Sequence, residues 1–193
     1  MYGNDPKKNH THRLKDCFIS ERFKNDWESL REVYKGRKST LVFYPHGNLA
    51  LARDKTENEI KLSNMWQENI NLLDTITDKW KNDDYVPIFV SEGTKEEKIK
   101  SIGNSNYLST VYYEVLTGLK ADNLVIYGWS ISEQDFHILE QIKKASSIRQ
   151  IAVSVYGNNQ DFCNTVSLTL NKYFSQNCQI EFFNSASSNC WCY

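Results

Sequence analysis

His46 is the first residue in the chain whose type and setting suggest chemistry. Pro45 holds the chain before it extended, and Gly47 after it permits a sharp change of direction. An imidazole titrates near neutral pH, so His46 could act as a general base. A histidine that only hydrogen-bonds a neighbouring loop is an equally good interpretation of Pro-His-Gly alone.

A second group of interest is Gly128-Trp129-Ser130, which directly follows an apolar run. Glycine lets the backbone approach a ligand closely. Ser130 and the N–H groups of the following helix can donate hydrogen bonds to a phosphate. The structural alternative is a tight turn in which Ser130 or Ser132 caps that helix.

Two carboxylates occupy comparable positions. Glu92, before Gly93, is predicted either to hydrogen-bond a ribose hydroxyl or to cap the helix that starts near Lys95. Asp135 lies in the first turn of a helix, where the helix dipole stabilises a carboxylate without any catalytic role. His137, two residues further on, does not share a helix face with Asp135, so the two are not predicted to form a metal pair.

Several common signatures are missing from the sequence. His10 and His12 have no further ligands nearby, and Cys190-Trp191-Cys192 lacks the two-residue gap and the second cysteine pair of a zinc knuckle, so no metal is predicted. The eight glycines form neither G-x-G-x-x-G nor a P-loop, and no G-x-S-x-G elbow is present.

Length and composition indicate one α/β domain. The chain has 193 residues, and its formal charge of -1 provides no field that would attract nucleic acid or anionic lipid. The chain has five cysteines, an odd number, and no apolar secretory segment follows Met1. Both observations favour the reducing cytoplasm as the location of the protein. No run approaches the 18 apolar residues of a membrane span, so none is expected.

Strands and helices are predicted to alternate along the chain. Residues 1–19 are expected to form a loosely ordered leader and residues 20–193 a single domain. The predicted strands are Thr40–Tyr44, Val86–Val90, Leu124–Tyr127, Ile151–Val155 and Gln179–Phe183. The predicted helices run from Ser20 to a stop at Gly36, from Ser63 to Trp80, and over Lys95–Ile102, Tyr107–Leu119, Ser132–Lys144 and Asp161–Phe174. The fold class is therefore α/β, with three layers: a mostly parallel sheet of about five strands and helices on both faces.

Four of the predicted strands end in small or polar clusters. The clusters are Pro45-His46-Gly47-Asn48, Ser91-Glu92-Gly93-Thr94, Gly128-Trp129-Ser130 and Tyr156-Gly157-Asn158-Asn159. Because the carboxyl ends of parallel strands share one edge of a sheet, we expect the clusters to meet there and to bind a ligand.

These segments, taken in order, resemble the C-terminal half of sirtuin-like NAD-binding domains, a partial Rossmann-type fold. The matching segments are Tyr44 to Gly47, Pro87 to Gly93, Leu124 to Ile131 and Ile151 to Asn158. More closely, HGNLAL, VPIFVSEGTKEEKIKSIGNSNYL, GWSISEQDFHIL and IEFFNSASSNCW look like an uncharacterised bacterial family of sirtuin-related domains of unknown function. The similarity runs from about Leu41 to Trp191.

The resemblance implies roles for individual residues. The histidine of the sirtuin-like His-Gly pair is the catalytic base, which carries over to His46. The Gly-Thr-Ser segment that contacts the dinucleotide corresponds to Gly128-Trp129-Ser130, and the asparagine-bearing loop on the adenosine side corresponds to Asn158. The expected NAD-binding residues are Gly47, Glu92, Gly128, Trp129, Ser130 and Asn158.

Two parts of the sirtuin-like pattern have no counterpart in the chain. No paired-cysteine zinc module lies between His46 and Pro87. The resemblance therefore implies NAD cleavage without a peptide substrate and without zinc. The first strand, the glycine-rich phosphate turn and the catalytic asparagine segment find no match before His46. We therefore expect the chain to be the C-terminal portion of a longer protein or a natural truncation. Its exposed sheet edge is then expected to need a partner.

Three functions follow as hypotheses. The first is binding of NAD or a related nucleotide, with hydrolysis in the complete form and an inactive isolated chain. The second is a non-catalytic remnant or interaction module that pairs through its exposed sheet edge, as a homo-oligomer or with the missing N-terminal half. The third, a small hydrolase that uses His46 with Glu92 or Asp135, lacks an identifiable nucleophile.

Overall fold

The computed structural model describes residues 12–31, 38–63, 71–145, 147–174, 177–188 and 190. The chain divides into two compact units, the first made of Met1–Ser91 and Ser101–Val111 and the second of Glu92–Lys100 and Tyr112–Tyr193. Within the described residues, the strands are β1 (His12–Lys15), β2 (Phe18–Ile19), β3 (Arg22–Phe23), β4 (Lys38–Leu41), β5 (Gly47–Asp54), β6 (Glu59–Lys61), β7 (Tyr85–Phe89), β8 (Asn123–Ile126), β9 (Gln150–Val155) and β10 (Gln179–Asn184). The helices are α1 (Leu72–Lys81), α2 (Lys95–Gly103), α3 (Asn106–Thr110), α4 (Phe136–Ile142) and α5 (Gln160–Tyr173), with 3-10 helices at Trp27–Arg31 and Glu133–Asp135 and a π-helix at Val111–Val115.

The α/β class is confirmed, whereas the predicted three-layer arrangement around one parallel sheet is not. Within the described residues the strands form three sheets: a parallel pair β1-β4, a parallel sheet in the order β10-β9-β8, and an antiparallel sheet in the order β2-β3-β6-β5-β7. The prediction assumed that every strand follows a helical crossover. In the first unit, short turns connect β2 to β3 and β5 to β6 instead, and such turns produce antiparallel pairs.

The prediction of a helix beginning at Ser20 is wrong for residues 20–31. Ser20 and Glu21 have φ angles of 50° and 66°, so they form the two-residue turn of a hairpin in which Phe18 pairs with Phe23. Helical spacing of aromatic residues was a misleading signal here, because those rings pack in a hairpin and a short 3-10 helix. The predicted stop at Gly36 lies outside the described residues.

Residues 12–19, which the sequence places in a loosely ordered leader, contain β1 and β2. Strand β1 pairs in parallel with β4, from His12 with Lys38 to Lys15 with Leu41. This pairing uses backbone groups, so it does not depend on a run of apolar side chains in β1. The rest of the predicted leader, residues 1–11, lies outside the described residues.

Strand β5, the longest in the first unit, is absent from the prediction. Its sequence, GNLALARD, has weak intrinsic strand preference, but β6 and β7 both pair with it in antiparallel orientation. The predicted strand at Val86–Val90 corresponds to β7, but it is antiparallel to β5 rather than parallel to its neighbours. Pro87 lies in this edge strand, where a missing N–H is tolerated.

The second unit follows the predicted order of elements closely. Strands β8, β9 and β10 and helix α5 begin within one residue of the expected positions. Helix α4 begins at Phe136 rather than at the predicted Ser132, because a 3-10 helix occupies Glu133–Asp135. One face of this sheet packs against both helices through a core that includes Ile126, Leu139, Val153 and Leu170. On the other face of β8, Val125 is 65% exposed. The expected cover of helices on both faces is therefore not confirmed.

The helices are short. The longest, α5, has 14 residues, and none of the helices in the described part of the chain is long and apolar enough to cross a membrane. Helix α1 begins at Leu72 with Asn71 as its N-cap, and the start predicted at Ser63 leads into residues 64–70, which are outside the described part.

Gly47 is required where β5 passes β7. Its φ is +70°, and a Cβ at this position would lie 2.1 Å from the carbonyl oxygen of Ile88. We expect Gly47→Ala to lower the free energy of unfolding by more than about 2 kcal/mol, since both the left-handed backbone and the contact oppose it. Urea unfolding followed by circular dichroism measures the change.

The control for this prediction is Gly103→Ala at the end of α2. A Cβ there meets nothing within 4 Å, and φ is not positive. Alanine at this position should leave stability unchanged or raise it by about 0.5–1 kcal/mol. Equal unfolding midpoints for the two variants would contradict the structural role of Gly47.

Candidate functional site

In the first unit, His46 lies in a turn whose backbone is fixed on both sides. The N–H of Tyr44 donates to the hydroxyl oxygen of Tyr107 at 2.9 Å, and the N–H of Val90 donates to the carbonyl of His46 at 2.8 Å. The N–H of Gly47 closes the turn on the carbonyl of Tyr44 at 2.9 Å. The half-buried imidazole therefore projects from a rigid strand-to-strand connection.

Tyr107 of α3 anchors this turn through its hydroxyl group. It is fully buried, and its ring lies 5.2 Å from that of Phe18 and 4.9 Å from that of Phe23. Burial raises the pKa of the Tyr107 phenol well above its usual value, which the hydrogen bond from Tyr44 only partly offsets. The phenol therefore stays neutral and accepts the hydrogen bond from Tyr44 throughout the physiological pH range.

Glu59 of β6 holds the beginning of α3, on which Tyr107 lies. Its two carboxylate oxygens accept hydrogen bonds from the N–H groups of Asn106 at 3.1 Å and Tyr107 at 2.7 Å. The guanidinium of Arg53 pairs with Glu59 at 3.2 Å and also donates to the carbonyl of Asn104. Sequence reasoning missed this network because its members are distant in the chain.

A cavity of about 160 Å³ adjoins Arg53 in the first unit, between β7 and the connection from α2 to α3. Arg53 is the charged residue in its lining, and its guanidinium already contacts Glu57, Glu59 and the Asn104 carbonyl. The single cation among the described residues of the cavity lining is therefore already paired within the protein, and we do not assign a ligand to the cavity.

In the second unit, the loop after β8 carries Gly128-Trp129-Ser130. Gly128 has φ +68°, and the place where a Cβ would stand has no atom within 4 Å. Its N–H donates to the hydroxyl of Ser154 on the adjacent strand at 3.0 Å. Ser130 is exposed, and the residue at the helix N-cap position is Ser132. Capping therefore does not account for Ser130.

The loop after β9 has the same character. Gly157 has φ +64°, and again nothing lies within 4 Å of a Cβ built there. Asn158 is exposed, and Asn159 caps α5 by accepting a hydrogen bond from the N–H of Phe162 at 2.9 Å. Two neighbouring parallel strands thus each lead into an open glycine with a left-handed backbone.

Contacts across the sheet tie these loops to the end of β10. The hydroxyl of Tyr127 donates to the carbonyl of Ser185 at 3.1 Å, and its ring stacks on Phe183 with centroids 6.2 Å apart. The N–H of Ser185 donates to the carbonyl of Val155 at 2.9 Å. The structure therefore brings the ends of β8, β9 and β10 together at one edge, which we call the carboxyl edge of the second unit.

The loops at the carboxyl edge contain no cationic side chain. Residues 127–135, 156–161 and 184–188 include neither Lys nor Arg. Donors at this edge include the backbone N–H groups, the Ser130 hydroxyl, the Asn158 amide and the N-terminus of α5. Any anionic group bound here would be recognised by neutral dipoles.

Asp135 contacts a lysine of α2 and two residues of the loop after β8. One carboxylate oxygen accepts a hydrogen bond from the ammonium of Lys98 at 2.7 Å, and the other lies 3.4 Å from the indole nitrogen of Trp129 and from the hydroxyl of Ser132. Sequence reasoning assigned Asp135 to the helix dipole and missed Lys98, because a lysine in the helical pattern of α2 resembles an ordinary surface residue.

Glu92 belongs to the second unit and is exposed before α2. The helix cap predicted as its structural alternative is formed by other residues. The Thr94 hydroxyl accepts from the N–H of Glu97 at 3.3 Å, and the Glu97 carboxylate accepts from the N–H of Thr94 at 2.8 Å. The hydrogen bonds that the Glu97 carboxylate accepts from the N–H and from the hydroxyl of Thr94 lower the pKa of Glu97.

The structure thus brings together some of the predicted site residues. Gly128, Trp129, Ser130 and Asn158 lie on adjacent loops of the second unit. His46 and Gly47 belong to the first unit and lie together where β5 begins. His137 is fully buried, with Nδ1 3.0 Å from the carbonyl of Gln134.

Replacing Tyr107 by phenylalanine tests the anchor below His46. Phenylalanine fills the same space but leaves the N–H of Tyr44 without its acceptor, so we expect Tyr107→Phe to cost about 1–2 kcal/mol of stability. Hydrogen exchange at the Tyr44 amide should accelerate. The control is Tyr113→Phe, whose side chain is exposed, and it should change stability by less than about 0.5 kcal/mol. Unchanged exchange at Tyr44 in Tyr107→Phe would contradict the anchoring role.

Comparison with known proteins gives a family without an assigned activity. The family described as Domain of unknown function (DUF4917) matches residues 1–191. No protein in the curated set matches the chain. Since the family match extends over nearly all of the 193 residues, the chain belongs to the DUF4917 family.

Proposed function

We propose that the carboxyl edge of the second unit binds a nucleotide, NAD or a relative of it. The observation that carries the proposal is the pair of open glycines, Gly128 and Gly157, which follow adjacent parallel strands. Ligands of α/β proteins bind at such edges, where glycine lets backbone N–H groups approach a phosphate or ribose. Ser130 and Asn158 are exposed beside them and supply a hydroxyl and an amide.

The finer form of the proposal is a sirtuin-related NAD hydrolase in which His46 acts as the base. Its support is the order of the four motifs and the placement of His46 at the start of β5 in a backbone held by three hydrogen bonds. In this proposal the protein acts in the cytoplasm, uses no zinc and takes NAD as substrate, and Gly47 and Glu92 belong to the binding residues.

A second candidate function is an interaction module that pairs through an exposed sheet edge. The observation that favours it is the pair of exposed apolar side chains on the edge strand β7: Val86 is 68% exposed and Phe89 44%. Edge strands carry unpaired backbone groups that a further strand can satisfy. In this function the chain forms a homo-oligomer or docks another protein chain.

Isothermal titration with NAD tests the binding proposal. We expect a dissociation constant in the micromolar to millimolar range and at least a fivefold weaker one for Ser130→Ala, since a hydroxyl donor to the ligand is lost. Because the loops of the carboxyl edge carry no Lys or Arg, raising the salt from 50 to 300 mM should change the constant less than about twofold.

The matched control is Ser29→Ala, which removes an exposed serine of the first unit and should leave the affinity unchanged. Absence of heat at millimolar NAD would contradict nucleotide binding. If light scattering then showed a mass above 22.5 kDa that rises with concentration, the interaction module would be the better account.

Nicotinamide release from NAD by the protein tests the hydrolase. His46→Ala should lower the rate at saturating NAD by about 100-fold or more, since a general base contributes factors of that size. Thermal unfolding of the variant, measured in parallel, separates a loss of activity from a loss of structure. Equal release rates in the two proteins would rule out His46 as the base.

A further inference from the structure

We propose that the ion pair between Lys98 and Asp135 positions the loop after β8 for ligand binding. The inference rests on the proposed function, because it concerns how the carboxyl edge recognises its ligand. Lys98 and Asp135 are positioning residues here: they act through Trp129 and Ser132 rather than on the ligand itself.

The ion pair is well placed for this role. Lys98 of α2 is only 5% exposed, and its ammonium lies 2.7 Å from one oxygen of Asp135. The second oxygen faces the indole nitrogen of Trp129 and the hydroxyl of Ser132, each at 3.4 Å. Asp135 thus connects α2 to two residues that flank Ser130 in the chain.

The backbone conformation of the loop after β8 has to be stabilised by contacts with the rest of the second unit. Within four residues it has two left-handed positions, Gly128 with φ +68° and Ile131 with φ +53°. A β-branched residue rarely adopts this conformation, and it does so only where the surroundings fix it. Ile131 is buried in the core of the second unit, and Asp135 holds the neighbouring Trp129 and Ser132. Backbone strain of this kind is common where a loop is shaped for a ligand.

Stability alone does not explain a buried lysine at this position. Removing two charges from water costs about as much as their attraction returns, and apolar replacements of buried ion pairs are frequently neutral. A buried ion pair does specify one arrangement of the groups around it. The exposed loop that carries Ser130 requires such a fixed arrangement in order to bind a ligand. Loop geometry, and therefore ligand affinity, is the property that we expect this pair to control.

The test compares two double variants, each of which removes one ion pair between α2 and residues 133–142. Lys98→Met/Asp135→Leu removes the proposed positioning pair. Lys95→Met/Glu140→Leu removes a pair with a 2.5 Å contact that joins the same two segments without touching the loop. We expect the first to weaken NAD binding at least tenfold and the second less than twofold, with similar shifts in unfolding temperature. Asp135→Asn, which keeps the shape and one acceptor, should give an intermediate loss.

A readout independent of ligand is the indole N–H resonance of Trp129 in nitrogen-15 spectra, assigned by its disappearance in Trp129→Phe. In folded Lys98→Met this resonance should shift and broaden, while it should remain in place in Lys95→Met. An unmoved resonance together with unchanged NAD affinity would overturn the positioning role. If the unsubstituted protein binds no NAD, the proposed function fails, and the Trp129 resonance still decides whether the ion pair fixes the loop.

Discussion

The parallel pairing of β8, β9 and β10 is the constraint on which the candidate site depends. Parallel strands end at the same edge, so the ladder that pairs Ile126 with Val153 and Val155 with Asn184 also brings the three following loops together. Tyr127 then bridges the outer two loops through Ser185 and Phe183. The positions of Gly128, Ser130 and Asn158 all follow from this ladder, and the proposal of a nucleotide ligand rests on the donors that these residues supply.

The first unit depends on a different constraint, the reversal of the chain at Gly47. A side chain there would meet the backbone of β7, so glycine allows β5 to pair with β7 directly after the turn that carries His46. Asn48 adds to this, since its side-chain oxygen accepts from the N–H groups of Ala50 and Leu51 where the register between β5 and β7 shifts. Part of the HGNLAL motif therefore has a structural explanation, and Gly47 needs no ligand to account for it.

Buried and half-buried polar side chains form hydrogen-bonded networks beside the turn of His46 and beside the loop of Ser130. Tyr107, Glu59 and Arg53 form one network that holds the turn of His46 in the first unit, and Lys98 and Asp135 form another that holds the loop of Ser130 in the second. In both networks a charged or phenolic side chain contacts backbone or side-chain donors far away in the sequence. Such groups are costly to bury unless they are paired, so they mark the places where loop geometry is most strictly specified.

The sequence by itself determined the elements of the second unit, because Leu124–Tyr127, Ile151–Val155 and the helices between them carry strong local patterns and clear turn residues. It also indicated the residues at the carboxyl edge, since strand ends in a parallel sheet converge by geometry. Only the tertiary structure decided that residues 18–23 form a hairpin, that β5 is a strand, and that β7 is antiparallel to it. The physical reason is that these segments have weak or misleading local preferences, and their conformation is set by partners such as β6 and Tyr107 that lie far along the chain.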